Sequence, residues 1–332
     1  MKKEEKDRPI FMWAGGKSKM IKHHEPHFPE HFDKYHEPFF GGGAVFMHIK
    51  KNNPDVKCYI NDINPYIIDI YKSIRDNVDE FCQHVDKLQS EYIPLPSPKD
   101  EGGKTNKPLQ KKYSLGKNRY NWDKIFDEQP SRRHMFFKIR DQYAWHYEEW
   151  SKVYESAVLY FLMKTAFNGV WQINNNTNNR FGTPCGLLNQ KQTLYNKELV
   201  KKWSAWLQGC VITCKDFKDT IGDVDDTSFV YLDPPYRGSF ADYGTEKDDE
   251  FQEGVIDFHH EVGQKGGCSI LCNRDIEDNF FEERKKDSDL YRFDVTYTVG
   301  RRKEVKQEDG SVKYEAKKAK EIILVTSDME GK

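Results

Sequence analysis

Ser228-Phe229-Val230-Tyr231-Leu232-Asp233-Pro234-Pro235-Tyr236 runs a strand-like apolar segment straight into a carboxylate, two prolines and an aromatic ring. The prolines, with fixed φ and no N–H, stop the strand and leave carbonyls as the available backbone groups. An ionised Asp233 is an acceptor only, so it takes a hydrogen bond from an amine without offering a competing donor. The Pro234 carbonyl is the natural second acceptor, and Tyr236 supplies a flat face for a planar base, a contact worth roughly 1–3 kcal/mol. Two acceptors on one NH₂ hold its lone pair out of conjugation and aim it at an electrophile. The same four residues also make an ordinary strand-end turn followed by a packing tyrosine, and the rest of the chain has to choose between the two.

Working outward, strand and helix signals alternate. Tyr35–Phe40 reads as a strand, Gly41-Gly42-Gly43 as a turn and Ala44–Lys50 as a helix. Cys58–Asn61 is a second strand, followed by a helix from Pro65 to Arg75. A short helix is expected over Gly16–Lys22. Aromatic helices (Met135–Glu149, Tyr154–Thr165) and Asn-rich loops fill the middle. Strand signals return at Cys210–Cys214, Phe229–Leu232, Ser269–Cys272, Phe293–Thr298 and Ile322–Thr326. Alternation of this kind predicts a mostly parallel sheet, whose ligands bind outside the carboxyl ends of the strands. Most of the motifs singled out fall at such an end.

The chain's 332 residues suffice for one large α/β domain with an inserted module. No apolar run approaches the length of a membrane span and no secretion signal is expected. Seven cysteines without a Cys-x-x-Cys read as reduced thiols in a cytoplasmic protein, and no metal site is expected: His23-His24 and His259-His260 are adjacent rather than at ligand spacing. A net charge of −2 excludes an indiscriminate nucleic-acid binder, but between Lys104 and Arg140 eleven Lys or Arg stand against three Asp or Glu. That stretch suits phosphates, and its start, Pro94–Lys117, equally suits a solvated insertion that orders on a polyanion. Asp242–Glu253 is acidic and reads as a mobile flap away from phosphate.

Four further strings carry chemistry. Glu37-Pro38-Phe39-Phe40-Gly41-Gly42-Gly43 places glycines between strand and helix, where backbone approaches a ligand closely; Phe46 breaks the dinucleotide fingerprint. Asp62, in Asn61-Asp62-Ile63-Asn64, sits at a strand tip where a carboxylate commonly holds a ribose diol, or else caps the next helix, a role that fits Asn64 better. Trp13-Ala14-Gly15-Gly16-Lys17-Ser18 is not a phosphate loop, because Phe11 stands where the first glycine is required. Asp216 and Phe217 suit an adenine ring, and equally an ordinary strand-to-loop transition.

Taken in order, WAGGK at 13–17, EPFFGGG at 37–43, NDIN at 61–64, FNG at 167–169, RFGTPCG at 180–186, DPPY at 233–236 and ILCN at 270–273 resemble the Dam-type (alpha group) adenine-N6 DNA methyltransferases. The likeness runs from Trp13 to about Thr326. It implies a Rossmann-like α/β methyltransferase sheet formed by residues 1–76 and 190–332, with a mainly helical target-recognition domain over 77–189. It also implies S-adenosylmethionine as donor, adenine N6 in double-stranded DNA as acceptor, base flipping and direct in-line attack. By residue, Trp13, Lys17, Glu37, Phe39, Gly41, Gly43, Asp62, Asp216, Phe217 and Asp233 look like cofactor contacts, and Asp233, Pro234, Pro235 and Tyr236 like the catalytic set. Phe167, Asn168, Gln172, Arg180, Pro184, Arg132 and Arg133 are the expected DNA contacts, on a protein expected to be monomeric.

Phe167 reads either as a wedge for the vacated stack or as a core residue ending a helix. Relatives that read GATC carry an arginine three residues beyond the FNG glycine; here Gln172 stands there, and glutamine pairs most naturally with adenine. Asn174–Asn179 reads as a polar hairpin tip or as a base-reading run, and Arg301 and Arg302 as phosphate contacts or solvated loop. An amine methyltransferase acting on cytosine N4 or RNA, and a non-catalytic DNA-binding relative, are the competing classes.

Overall fold

The computed structural model describes residues 7–13, 15–97, 107–116, 119–169, 171–186, 193–238, 249–297, 303–306, 312–315 and 317–326. Residues 98–106 and Lys117 of the basic loop, residues 242–248 of the acidic stretch, Thr298, Arg301 and Arg302 lie outside the described residues. The chain forms two compact units: residues 1–18, 41–54 and 64–214, and residues 19–40, 55–63 and 215–332. The expected catalytic and recognition boundaries near 77 and 189 do not coincide with these divisions.

The first unit is mainly helical, with α1 (Ala44–Asn52), α2 (Pro65–Asp76), α3 (Val78–Tyr92), α4 (Arg132–Trp145), α5 (Lys152–Thr165) and α6 (Lys197–Leu207). Helix α2 starts on Asn64, whose side chain accepts from Tyr66 N at 3.0 Å, with Pro65 at the first position where its missing N–H costs nothing. Its buried residues Ile67, Ile70, Tyr71 and Ile74 recur at helical spacing. Helix α5 is buried on almost every side because α2, α3 and α4 all pack against it. Burying one of its large apolar side chains, such as Leu159 or Phe161, contributes roughly 1.5–3 kcal/mol. The helices on both sides of the 76/77 boundary therefore share one core, which is why compactness ignores it. The basic segment is partly built: Lys107–Lys112 is helical, and Leu109, Trp122 and Ile125 form a small core with Phe137 packed on it.

The second unit holds six of the seven strands of the main sheet: β1 (Lys34–Glu37), β2 (Lys57–Asn61), β3 (Ser228–Leu232), β4 (Cys268–Asp275), β5 (Asp289–Tyr297) and β6 (Lys317–Val325). Their order is β5-β6-β4-β3-β1-β2. β1 pairs in parallel with β2 and β3, and β3 with β4, as the alternation predicted. β6 runs antiparallel to both β4 and β5. All five residues of β3 are buried, which explains its unbroken apolar run. Phe229 and Tyr231 meet the rings of Phe28 on one face, while Val230 and Leu232 join Val255 and Val262 of α7 (Asp249–Gln264) on the other.

Candidate active site

The chain leaves β1 toward β2 on one side, and later leaves β3 toward β4 on the other. The strand order therefore reverses between the adjacent strands β1 and β3. Outside the carboxyl ends of such a pair lies the crevice where α/β sheets bind ligands. Glu37 closes β1, and Asp233, Pro234, Pro235 and Tyr236 follow β3 directly. Asp62 follows β2 at once.

The residues of this unit expected on the cofactor side are tied together by Asn61, whose tying role the sequence did not disclose. The amide of Asn61, the last residue of β2, donates to the carbonyls of Pro38 at 3.1 Å and Lys215 at 2.9 Å. Its oxygen accepts from Lys215 N at 3.0 Å, and its own carbonyl accepts from Phe40 N at 2.9 Å. The loops carrying Glu37 and Phe39, Asp62, and Asp216 and Phe217 thus meet at one buried amide. Phe39 lies 5.1 Å from Phe217 between ring centroids, and Phe217 is buried in the core with Phe258 beside it. Asp216 is exposed and caps the following turn by accepting from Lys218 N at 3.0 Å. Glu37 is buried and accepts from the Tyr35 hydroxyl at 2.8 Å. Burial and the Glu37 charge together push the Tyr35 hydroxyl well above its usual pKa and keep it a donor.

Around the Asp233–Tyr236 string, the Tyr236 hydroxyl donates to the buried Glu321 carboxylate at 3.0 Å, which fixes the far end of the ring. Pro235 O accepts from Gln252 at 3.0 Å, and Arg237 N donates to Asn273 at 3.0 Å. Arg237 itself forks onto Asp249, 2.6 and 3.0 Å, and pairs with Asp278. Asn273 belongs to the ILCN string; Gln252, Glu321 and Asp278 carried no sequence signal.

In the first unit, Trp13 lies over the glycine turn: a Cβ on Gly41 would stand 2.7 Å from the indole, and the turn needs the left-handed φ of +48° there. The demand for glycine at Gly41 thus comes from the tryptophan. Gly43 caps α1 with a left-handed φ of 64°. Lys17 is buried and donates to Gly15 O at 2.7 Å.

Residues 166–186 of the same unit form an irregular hairpin. Ala166 bridges Cys185, Phe167 N donates to Pro184 O at 2.9 Å, Gly182 N donates to Gln172 O at 2.8 Å, and Ile173-Asn174 pairs with Arg180-Phe181. Phe167 is 46 % exposed, so its reading as a core residue is corrected. Asn168, Gln172 and Pro184 are exposed, and Asn168 adopts a left-handed φ of 54°. Asn174–Asn179 is the tip, with Asn178 and Asn179 both at φ 54°. Arg140, from α4, donates to the carbonyls of Gly182 at 3.0 Å and Thr183 at 3.1 Å.

Three arginines expected at DNA are buried in this structure. Arg132 is buried and donates to the carbonyls of Tyr92 and Ile93; Arg133 is buried beside it in α4. Arg180 is buried in an ion pair with Glu155, its guanidinium 3.4 Å from the Tyr147 ring centroid and 4.2 Å from that of Tyr143. A guanidinium bonded to carbonyls or a carboxylate inside a core is a structural cation, and moving it to a phosphate would strand those acceptors.

Carboxylates and aromatic rings thus stand near the strand ends at the reversal point of this sheet. The model of the D12 class N6 adenine-specific DNA methyltransferases matches residues 13–96 and 108–299, and the chain belongs to that family. It is 27% identical over 278 residues to the type II methyltransferase M.MjaIII of Methanocaldococcus jannaschii, covering 80% of this chain and 84% of the relative. It is 26% identical over 301 residues to the type II methyltransferase M1.LlaDCHI of Lactococcus lactis, with 88% and 89% covered. A DNA adenine methylase of Haemophilus influenzae is 25% identical over 280 residues, with 82% and 81% covered. The protein is an N6 adenine-specific DNA methyltransferase with a mixed α/β sheet and helical inserts. Among the described residues no helix is long and apolar enough to cross a membrane.

Proposed function

We propose that the chain methylates N6 of a flipped-out adenine in double-stranded DNA, using S-adenosylmethionine, with Asp233, Pro234, Pro235 and Tyr236 as the acceptor site. The observation that carries the reading is the position of this string directly after the fully buried β3, beside Glu37 at the end of β1. S-adenosylmethionine, when bound, supplies a methyl group made electrophilic by its sulfonium. The residues present fit it: Asp62 and Glu37 are acceptors suited to ribose hydroxyls and an ammonium, and Asp216 and Phe39 offer an acceptor and a partly open ring to an adenine. Phe217 backs Phe39 from the core. From the first unit, Trp13, Lys17, Gly41 and Gly43 are the further cofactor residues we propose.

Asp233 and the Pro234 carbonyl accept the two N–H bonds of the adenine amine and turn its lone pair toward the methyl carbon; Tyr236 stacks on the base. With S-adenosylmethionine bound, the amine nitrogen would take the methyl directly as its C–S bond breaks and the thioether leaves, and the extra proton would then pass to Asp233 or to solvent. Catalysis then rests on positioning and preorganised acceptors, each worth on the order of 10²–10³ in rate. Flipping is required because the reacting amine lies within the base stack. The 166–186 hairpin is the proposed reading element of the 77–189 segment, with Phe167 as the wedge, Asn168 and Pro184 flanking it, and Gln172 contacting an adenine of a site other than plain GATC. We read the enzyme as a cytoplasmic monomer.

The test is transfer from labelled S-adenosylmethionine to duplex DNA, followed by nucleoside analysis. Label in N6-methyladenine with duplex, and its loss in Asp233→Ala at unchanged cofactor affinity, supports the reading. Retention of more than about a tenth of turnover in that variant removes Asp233 from the role.

A further inference from the structure

Two buried side-chain amides on elements far apart in sequence close a ring of hydrogen bonds around the turn that follows Asp233. Gln252, in α7, is 1 % exposed, and Asn273, near the end of β4, is 0 % exposed. Arg237 N donates to Asn273 Oδ1 at 3.0 Å, Asn273 Nδ2 donates to Gln252 Oε1 at 2.8 Å, and Gln252 Nε2 donates to Pro235 O at 3.0 Å. Arg274 N adds a second donor to Asn273 Oδ1 at 2.8 Å. Both ends of the relay are backbone, so its polarity is forced: Arg237 offers only an N–H, and Pro235 only a carbonyl. Each intervening side chain must therefore accept at one atom and donate at the other. An amide does this, while a carboxylate of the same shape does not.

We infer that Gln252 and Asn273 are positioning residues for the methyl-acceptor turn. The inference rests on the acceptor site proposed above. Pro234 and Pro235 have no N–H with which to anchor the turn. The relay replaces them: it grips the chain at Pro235 O on one side of Tyr236 and at Arg237 N on the other. It also sorts the two proline carbonyls. Gln252 engages that of Pro235, which assigns the acceptor role to Pro234. Sliding the turn by a fraction of an ångström would move the Pro234 carbonyl and the Tyr236 ring together, so the relay acts on turnover rather than on the affinity of either substrate.

The test uses the full chain with duplex DNA and S-adenosylmethionine, comparing the parent with Gln252→Glu and Asn273→Asp. Both substitutions keep size and shape. The first removes the donor to Pro235 O, and the second removes the donor to Gln252 while keeping the acceptor for Arg237 N and Arg274 N. Expected is a fall in kcat of roughly 10–100-fold in each, the scale of a slightly misplaced reacting group. KM for DNA and the cofactor Kd should move less than about threefold, and the double variant should lose little more than the worse single one, as for residues acting in one chain. Turnover within about threefold of the parent in both variants overturns the inference. So does a fall matched by an equal loss of cofactor affinity, or failure of both to fold, since either marks a stability device. If the parent makes no N6-methyladenine, or Asp233→Ala keeps turnover, the acceptor site itself is misassigned; neutral amide variants beside a dead Asp233→Ala defeat only the relay.

Discussion

Replacing Asn61 by alanine should cripple cofactor binding without touching any cofactor contact. Its amide makes two donations, to Pro38 O and Lys215 O, and takes one, from Lys215 N, all between 2.9 and 3.1 Å. Each such bond contributes about 1 kcal/mol net, and a buried group left without its partner costs more, so Asn61→Ala should lose about 3 kcal/mol of stability. If the energy of only one of the three bonds is what holds the loops in their cofactor-ready arrangement, the Kd for S-adenosylmethionine rises about fivefold, the ratio that about 1 kcal/mol commands. Asn61→Asp should be no better: it keeps the acceptor for Lys215 N but turns an anion on two carbonyls. Calorimetric titration of the cofactor, with denaturant unfolding alongside, separates the two effects. A Kd within twofold of the parent, in a variant that has lost the stability, would show that the loops hold their places without this amide and refute the reasoning.

Tyr236→Phe keeps the stacking face and loses the tether to Glu321; it should cost roughly 3–10-fold in kcat, against a far larger loss in Tyr236→Ala, in steady-state assays on duplex DNA. Phe167→Ala should lower the melting temperature only slightly, because the residue is nearly half exposed, while slowing extrusion of a fluorescent 2-aminopurine at the target position several-fold; unchanged extrusion would return Phe167 to the scaffold. Burial holds His36 down to about 4 and His259 down to about 3, where the unfolded chain's imidazoles titrate near 6.5. The unfolded state therefore binds more protons between those values, so stability should fall as pH drops from about 6.5 toward 4, by on the order of 3 kcal/mol per histidine, and urea midpoints in His259→Gln should lose part of that slope.

The strands and their motif-bearing ends were legible because each is a short local string: an apolar run, then prolines, glycines or an acid. The acceptor turn, Asp62 and the glycine loop all fall where those strings predicted. What holds them was not legible. Asn61 reaches Lys215, Gln252 reaches Asn273, and Tyr236 reaches Glu321, partners that no window of local sequence contains. Arg132, Arg133 and Arg180 show the opposite failure. Charge counting reports how many cations a segment holds but not which way they point: Arg132 points at the Tyr92 and Ile93 carbonyls and Arg180 at Glu155 and the Tyr147 ring. The packing of α2 and α3 on α5, a helix far along the chain, was likewise not visible in any local window.

β6 comes last in chain order yet lies between β4 and β5, and it carries the carboxylate that tethers the Tyr236 hydroxyl. Until residue 317 has left the ribosome, β4 presents an open edge, the kind of surface that invites pairing with a neighbouring chain. A nascent polypeptide stalled short of that point would have Asp233–Tyr236 already translated but the tyrosine still untethered.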